Sequence, residues 1–228
     1  MKTKYLSVSR DTKTIKGEKN GVLTGILYLS PYNISGVNLC PFSTEGCRNS
    51  CLYVSGNSMR FPKVNEYRLN KTQKFLSNKE EFLNSLYTDI LILKAKANKL
   101  SMKAAVRLNG TSDINWQILK CNGKTLFEHF PDVHFYDYTK NFNAMSMFPN
   151  YDLTYSRGEE ISLDKIVDKI KSNKNVSVVF LSVPKTWNGF EVIDGDINDS
   201  RFNDKKGVIV GLKAKAKARK DSTGFVVI

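Results

Sequence analysis

Gly-Val-Leu-Thr-Gly-Ile-Leu-Tyr-Leu-Ser at residues 21–30, with Cys-Pro-Phe-Ser-Thr-Glu-Gly-Cys-Arg-Asn-Ser-Cys close behind at 40–51, is the stretch that decides the fold. The apolar run is strand-length and bounded by Gly and Pro, so it predicts a β-strand that feeds a cysteine-bearing loop, residues 31–56. Downstream, 64–76 and 80–100 carry helical spacing, with Phe82, Leu86, Ile90, Leu93 and Ala97 on one stripe. A second strand follows at 103–108 and ends in Asn109-Gly110, a turn signal. Strand, helix and strand in that order imply a right-handed crossover and a parallel sheet.

The rest of the chain repeats the pattern. A helical stretch at 113–130 is interrupted at Asn122-Gly123, and strands are predicted at 133–138 and 151–155. A helix at 162–171 precedes the most apolar strand, 176–183, which Pro184 ends. A sixth strand lies at 207–212 and a short closing one at 224–228. Six such units predict one α/β domain over residues 1–228, either a partial (β/α)6 TIM-like barrel or an open parallel α/β sheet; pattern does not separate the two.

Composition narrows the class. Hydrophobic residues at 41% and charged residues at 25% are ordinary for a globular chain. There is no apolar run near the roughly 20 residues a membrane span needs, and Met1–Arg10 has no apolar stretch behind it to act as a signal peptide. The expected location is the cytoplasm, where thiols stay reduced and cysteines are better read as ligands than as disulfides. The net charge of +13 favours an acidic partner, whether nucleic acid, nucleotide or phosphate, and no membrane. Lysine outnumbers arginine, which argues against base-specific readout.

In parallel α/β folds ligands collect at the carboxyl ends of strands. That rule gathers the cysteine loop, Arg107 to Asp113, Asp137 to Lys140, Ser156-Arg157-Gly158 and Pro184 to Asn188 on one rim. Arg107, Asp137 and Lys140 are the expected catalytic groups. Asn109, Ser112, Asp113, Ser156 and Arg157 are expected to bind a cofactor. Simpler roles fit the same residues: Ser112 or Asp113 as a helix N-cap, Asp137 and Lys140 as a surface ion pair. His129, His134 and Cys121 read as structural.

Three thiolates on one loop can hold a metal or cluster and leave a coordination position open. Cys40, Cys47 and Cys51 have the spacing Cys-x6-Cys-x3-Cys, where structural zinc sites pair Cys-x2-4-Cys knuckles. An iron–sulfur cluster is the preferred expectation; zinc, with Cys121 or a histidine as fourth ligand, is the alternative. The basic segment 213–220, with Lys213, Lys215, Lys217, Arg219 and Lys220 between alanines, reads as a phosphate-tracking extension of the sixth strand or as a solvated loop.

A three-cysteine loop after strand one of a six-unit β/α chain resembles the radical S-adenosylmethionine enzymes. The resemblance implies that Cys40, Cys47 and Cys51 ligate three irons of a [4Fe–4S] cluster whose fourth iron binds S-adenosylmethionine. That superfamily's usual spacing is Cys-x3-Cys-x2-Cys, and Arg107-Leu-Asn-Gly stands where it often has a Gly-Gly-Glu segment. Over most of its length the chain resembles a bacteriophage family named after a mycobacteriophage gene product, number eighty-eight. Cys40-Pro41, Ser43, Gly46-Cys47, Arg107 to Asp113, Phe135 to Lys140, Gly195 to Asp199, Arg201-Phe202 and Gly211 to Lys215 carry the resemblance. It implies a phage origin and assigns no activity. The expectation is therefore a radical S-adenosylmethionine-like iron–sulfur enzyme acting on a nucleotide, nucleic acid or other anionic substrate. Its alternatives are a basic nucleic-acid-binding protein with a structural zinc, and a phage effector that binds a host protein.

Overall fold

The Phe82, Leu86, Ile90, Leu93 and Ala97 stripe is almost wholly buried, and the first half of the fold is built against it. The structure is a computed structural model that describes residues 2–9, 12–54 and 61–228. Its elements are β1 (Leu6–Val8), α1 (Thr12–Glu18), β2 (Val22–Leu27), α2 (Glu45–Asn49), α3 (Pro62–Ser77), α4 (Lys79–Lys99), β3 (Lys103–Arg107), β4 (Lys120–Cys121), β5 (Lys124–Thr125), α5 (Leu126–His129), β6 (His134–Thr139), β7 (Tyr151–Ser156), α6 (Leu163–Lys171), β8 (Val176–Phe180), β9 (Thr186–Trp187), β10 (Phe190–Asp194), β11 (Ile209–Lys213) and β12 (Val226–Val227).

One sheet runs in the order β1-β2-β3-β6-β7-β8-β11-β10-β9, with β12 against β8 and a separate β4–β5 hairpin. The pairs from β2 through β11 to β10 are parallel; among the described residues of this sheet only the edge strands β1 and β9 run antiparallel to their neighbours. The chain is thus one mixed α/β domain with a mostly parallel central sheet. Among the described residues β1 and β9 end the sheet on opposite sides, and it does not close into a barrel.

Register fixes which side chains share a face. Val106, Phe135 and Tyr151 lie side by side, and two residue pairs further along Tyr155 aligns with Val176 and Ile209. That face packs on Phe82, Leu86, Ile90 and Leu93 of α4 at one end and on Ile166 and Ile170 of α6 at the other. Strands laid down in sequential order with right-handed crossovers send their helices to the same side, as observed. The other face, with Ile26, Arg107, Tyr138, Ser156 and Leu212, is left for a site. Between β7 and β8 the pairing ends at Ser156 and Ser177, and β12 then pairs with Val179 and Phe180. Arg157 holds β12 there through the carbonyls of Gly224 and Phe225.

Several elements differ from expectation. The predicted helix at 113–130 is instead a short 3-10 turn, the β4–β5 hairpin and the four-residue α5. Asn122 and Gly123 both have positive φ, 50° and 79°, which suits a two-residue hairpin turn and breaks any helix. No helix joins β6 to β7; β1, α1 and β9 were not legible because each is too short to show a period, and β10 was also not anticipated, although it is as long as β3, β8 and β11. β1 is held from outside its own sequence: the buried Asp89 carboxylate of α4 accepts from the backbone N–H groups of Lys4, Tyr5 and Leu6. The basic segment is not a strand extension, because β11 stops at Lys213 and residues 216–220 form a 3-10 turn.

Leu86 lies at the centre of the α4 stripe with no exposed surface. Leu86→Ala should lower the free energy of unfolding by about 2–5 kcal/mol in urea titrations, and a smaller loss would mean that this helix face is not the main core.

Candidate functional site

A cavity of about 440 Å³ opens at the carboxyl ends of β2, β3, β6, β7, β8 and β11. Its volume suits a small-molecule or nucleotide-sized ligand. Gly110 lets the loop after β3 close in, since a Cβ there would come within 2.7 Å of the Leu27 carbonyl at the end of β2.

One wall is the cysteine loop. Cys40, Cys47 and Cys51 all line the cavity and all are free thiols. Cys47 rides on the five-residue α2, whose N-cap Thr44 accepts from the Cys47 N–H. Glu159 clamps this turn, accepting from the Thr44 hydroxyl and from the Gly46 N–H at 2.6 Å. Burial works against the Glu159 charge, but those two hydrogen bonds outweigh it and hold the carboxyl below its usual range. Gly46 is required there because a Cβ would meet Thr223 at 2.2 Å and Phe225 at 2.4 Å.

Burial pushes all three thiols up, Cys40 to about 12, so at neutral pH they are protonated as they stand. Lys140 and Arg48 act in the opposite sense on Cys47, and Arg68 on Cys51. Among the described residues no three His, Cys, Asp or Glu side chains converge closely enough to hold a metal ion in this arrangement.

The floor comes from the loops after β3, β6 and β7. Lys140 Nζ donates to Ser156 Oγ (2.8 Å), the Arg157 carbonyl (2.9 Å) and the Ser156 carbonyl (3.3 Å). All three ammonium hydrogens are therefore used, and burial pulls its pKa down. Asp113 accepts from the Lys140 N–H at 2.9 Å, and burial pushes its carboxyl up. Ser112 and Asp113 cap no helix, because none follows. Asn109 instead organises this loop: its Oδ1 accepts from Ser112 Oγ, the Ile114 N–H and Trp116 Nε1.

The far wall holds paired charges. Asp199 accepts from Arg107 Nη1 at 3.1 Å and from the Tyr136 hydroxyl at 3.0 Å, with the guanidinium 4.7 Å above the Tyr138 ring. Asp196 lies between Lys13 (2.9 Å) and Lys215 (2.8 Å) and also accepts from the Lys213 N–H. Burial opposes its charge, but these partners hold its carboxyl far below the usual range.

The structure thus brings together Arg107, Asn109, Ser112, Asp113, Lys140, Ser156, Lys213 and Lys215 with the three cysteines. Asp137 stands apart. It points to the helix-covered face, where it accepts from the Asn109 N–H at 2.7 Å and the Tyr151 hydroxyl at 3.1 Å, and it forms no ion pair with Lys140. Arg157 faces β12 and does not line the cavity. Lys217 and Lys220 line a neighbouring cleft of about 550 Å³, while Arg219 donates to the Ala214 carbonyl. Cys121 is buried, His129 bonds the Cys121 carbonyl and His134 stacks on Phe202, and none of the three lines the cavity. Lys13, Glu159, Asp196 and Asp199 were not anticipated as site residues. The Gly195–Asp199 stretch was distinctive in sequence, but nothing local tied it to the cysteine loop.

The family profile described as Gene product 88 matches residues 5–227. No curated protein and no solved structure matches the chain.

Burial pushes the Asp137 carboxyl up to about 7 from its ordinary 3.8. A carboxyl raised in the folded state contributes stability that is complete below pH 3.8 and lost as pH rises through about 7. Asp137→Asn keeps both partners, so relative to this variant the parent should lose on the order of a few kcal/mol between those pH values. Parallel pH–stability curves for the two in urea titrations would show that Asp137 ionises freely in the fold.

Proposed function

The chain belongs to the gene product 88 family, and from that premise and the cysteine-walled cavity we propose an iron–sulfur enzyme of radical S-adenosylmethionine type, acting on an anionic substrate. The observation that carries the reading is that three reduced thiols from one loop line one cavity at the carboxyl ends of parallel strands. The order β2, β3, β6, β7, β8, β11 supports it, since six neighbouring parallel strands laid down in chain order, with α4 and α6 on one face, follow part of the plan of a (β/α)6 barrel, although β10 extends the parallel run and no helix joins β6 to β7.

The donor set fits a cluster held by three thiolates. Cys40, Cys47 and Cys51 would hold it, drawing closer together and releasing protons as they bind. Cations beside Cys47 and Cys51 favour the thiolate form. When bound, the cluster with S-adenosylmethionine would supply one-electron chemistry.

The chain's own residues account for the rest. Cys40 Sγ sits 3.7 Å from the Thr111 carbonyl, so the loop organised by Asn109, with Ser112 and Asp113, borders the cofactor end. Lys140, with all its hydrogens donated, serves as a fixed positive charge beside Cys47 rather than as a proton shuttle. Arg107, Lys13, Lys213 and Lys215 form the substrate end. Across the lining, five cations (Lys13, Arg107, Lys140, Lys213, Lys215) face three carboxylates (Asp113, Asp196, Asp199), an excess that selects an anion. Ile26, Val179, Leu212 and Phe225 supply the apolar part of the lining.

Anaerobic purification with iron, sulfide and zinc analysis tests the reading. The expected result is a brown protein, bleached by dithionite, with several irons per chain. Cys40→Ala, Cys47→Ala and Cys51→Ala should each lose most of the iron while keeping a cooperative melt. A colourless protein with one zinc per chain would overturn the cluster in favour of a structural metal site, and a metal-free chain indifferent to all three substitutions would overturn both.

A further inference from the structure

The cleft beside the cavity has no role in the chemistry above, and its lining is of one kind. Arg48, Lys217 and Lys220 stand with Asn49, Ser50, Ser222 and Thr223, so cations and neutral hydrogen-bonding groups predominate. Its one carboxylate, Asp221, is turned inward onto the Thr223 hydroxyl and the N–H groups of Thr223 and Val226. Ser50 lines both cleft and cavity, so the two open side by side on one rim.

The lysines are presented from a fixed support. Ala214 and Ala218 are buried against Phe225 and Val226, and Ala216 sits at φ 48° at the head of the 3-10 turn. Lys215 is drawn to Asp196, whereas Lys217 and Lys220, both exposed, make no ion pair among the described residues. An aromatic ring lies alongside: the Arg48 guanidinium stands 4.9 Å over the partly exposed Tyr32 ring.

We propose that the substrate is a single-stranded nucleic acid, one nucleotide entering the cavity and the adjoining phosphodiesters lying along the Arg48–Lys217–Lys220 cleft; as a statement about substrate it rests on reading the cavity as an active site. A basic groove with an aromatic ring beside it has the elements by which a strand is held without regard to sequence. The preponderance of lysine suits phosphate contacts rather than base readout. A cavity walled by the cysteine loop admits a base only when it is out of the stack, which a single strand allows at little cost and a duplex does not.

Fluorescence anisotropy on the full chain, with labelled oligo(dT) and oligo(U) 12-mers over a salt series, tests the inference. One of the single strands should bind at least tenfold tighter than a duplex of equal length and than the mononucleotide. Lys217→Glu with Lys220→Glu should weaken it roughly tenfold, and Lys217→Ala with Lys220→Ala should reduce the log–log salt slope by about 1.4. Iron per chain should be the same in these variants as in the parent. No strand binding, equal affinity for duplex, or indifference to the paired substitutions would each overturn the inference, including when iron is bound. Strand binding with these dependences in a chain that carries no iron would support the cleft and sink the cluster alone.

Discussion

Right-handed crossovers between neighbouring parallel strands are the constraint on which the rest of this molecule depends. Because β2, β3, β6, β7, β8 and β11 are laid side by side in chain order, α4 and α6 fall on one face of the sheet. Among the described residues the other face receives no crossover helix and is covered by α1, the strand-end loops and the cysteine segment. One face therefore carries the largest hydrophobic clusters of the domain, and the other, with smaller ones, has room to carry charge. Asp137 shows the division at a single position: one residue from Tyr138, which lines the cavity, it serves the opposite face by fixing the start of the Asn109 loop.

Charge in the cavity is arranged so that no lining carboxylate stands alone. Asp199 is paired with Arg107, Asp196 with Lys13 and Lys215, and Asp113 accepts from the Lys140 backbone. Pairing of this kind lets polar groups persist in a site away from bulk water. The unpaired surplus is positive and lies toward the rim, where Lys213, Lys217 and Lys220 continue it onto the surface. The thiols, by contrast, are neutral through burial, and their flanking cations are the means by which they could become thiolates.

Long amphipathic elements were legible because their periodicity is a local property. The helices expected at 64–76 and 80–100 appear as Pro62–Ser77 and Lys79–Lys99, and all six expected parallel strands fall within a few residues of their expected positions. The stretch at 113–130 was not legible, because Asn122-Gly123 with positive φ at both residues turns a hairpin where apolar spacing suggests a helix. Arg107, Ser112 and Lys140 were found by the strand-end rule. Lys13, Glu159, Asp196 and Asp199 were not, since each reaches the site across a long sequence separation.

The sequence by itself determined the parallel α/β class, the core stripe of α4, the cysteine loop at a strand's carboxyl end and the positive charge, all of which are encoded in neighbouring residues. Only the tertiary structure decided that the sheet stays open, that Asp137 and Arg157 support the site instead of lining it, and that the basic segment divides between cavity and cleft. Those outcomes depend on register, on which face a side chain takes, and on long-range partners such as Asp196 for Lys215 and Glu159 for the cysteine turn. Such contacts form only after distant segments meet, and no local periodicity announces them.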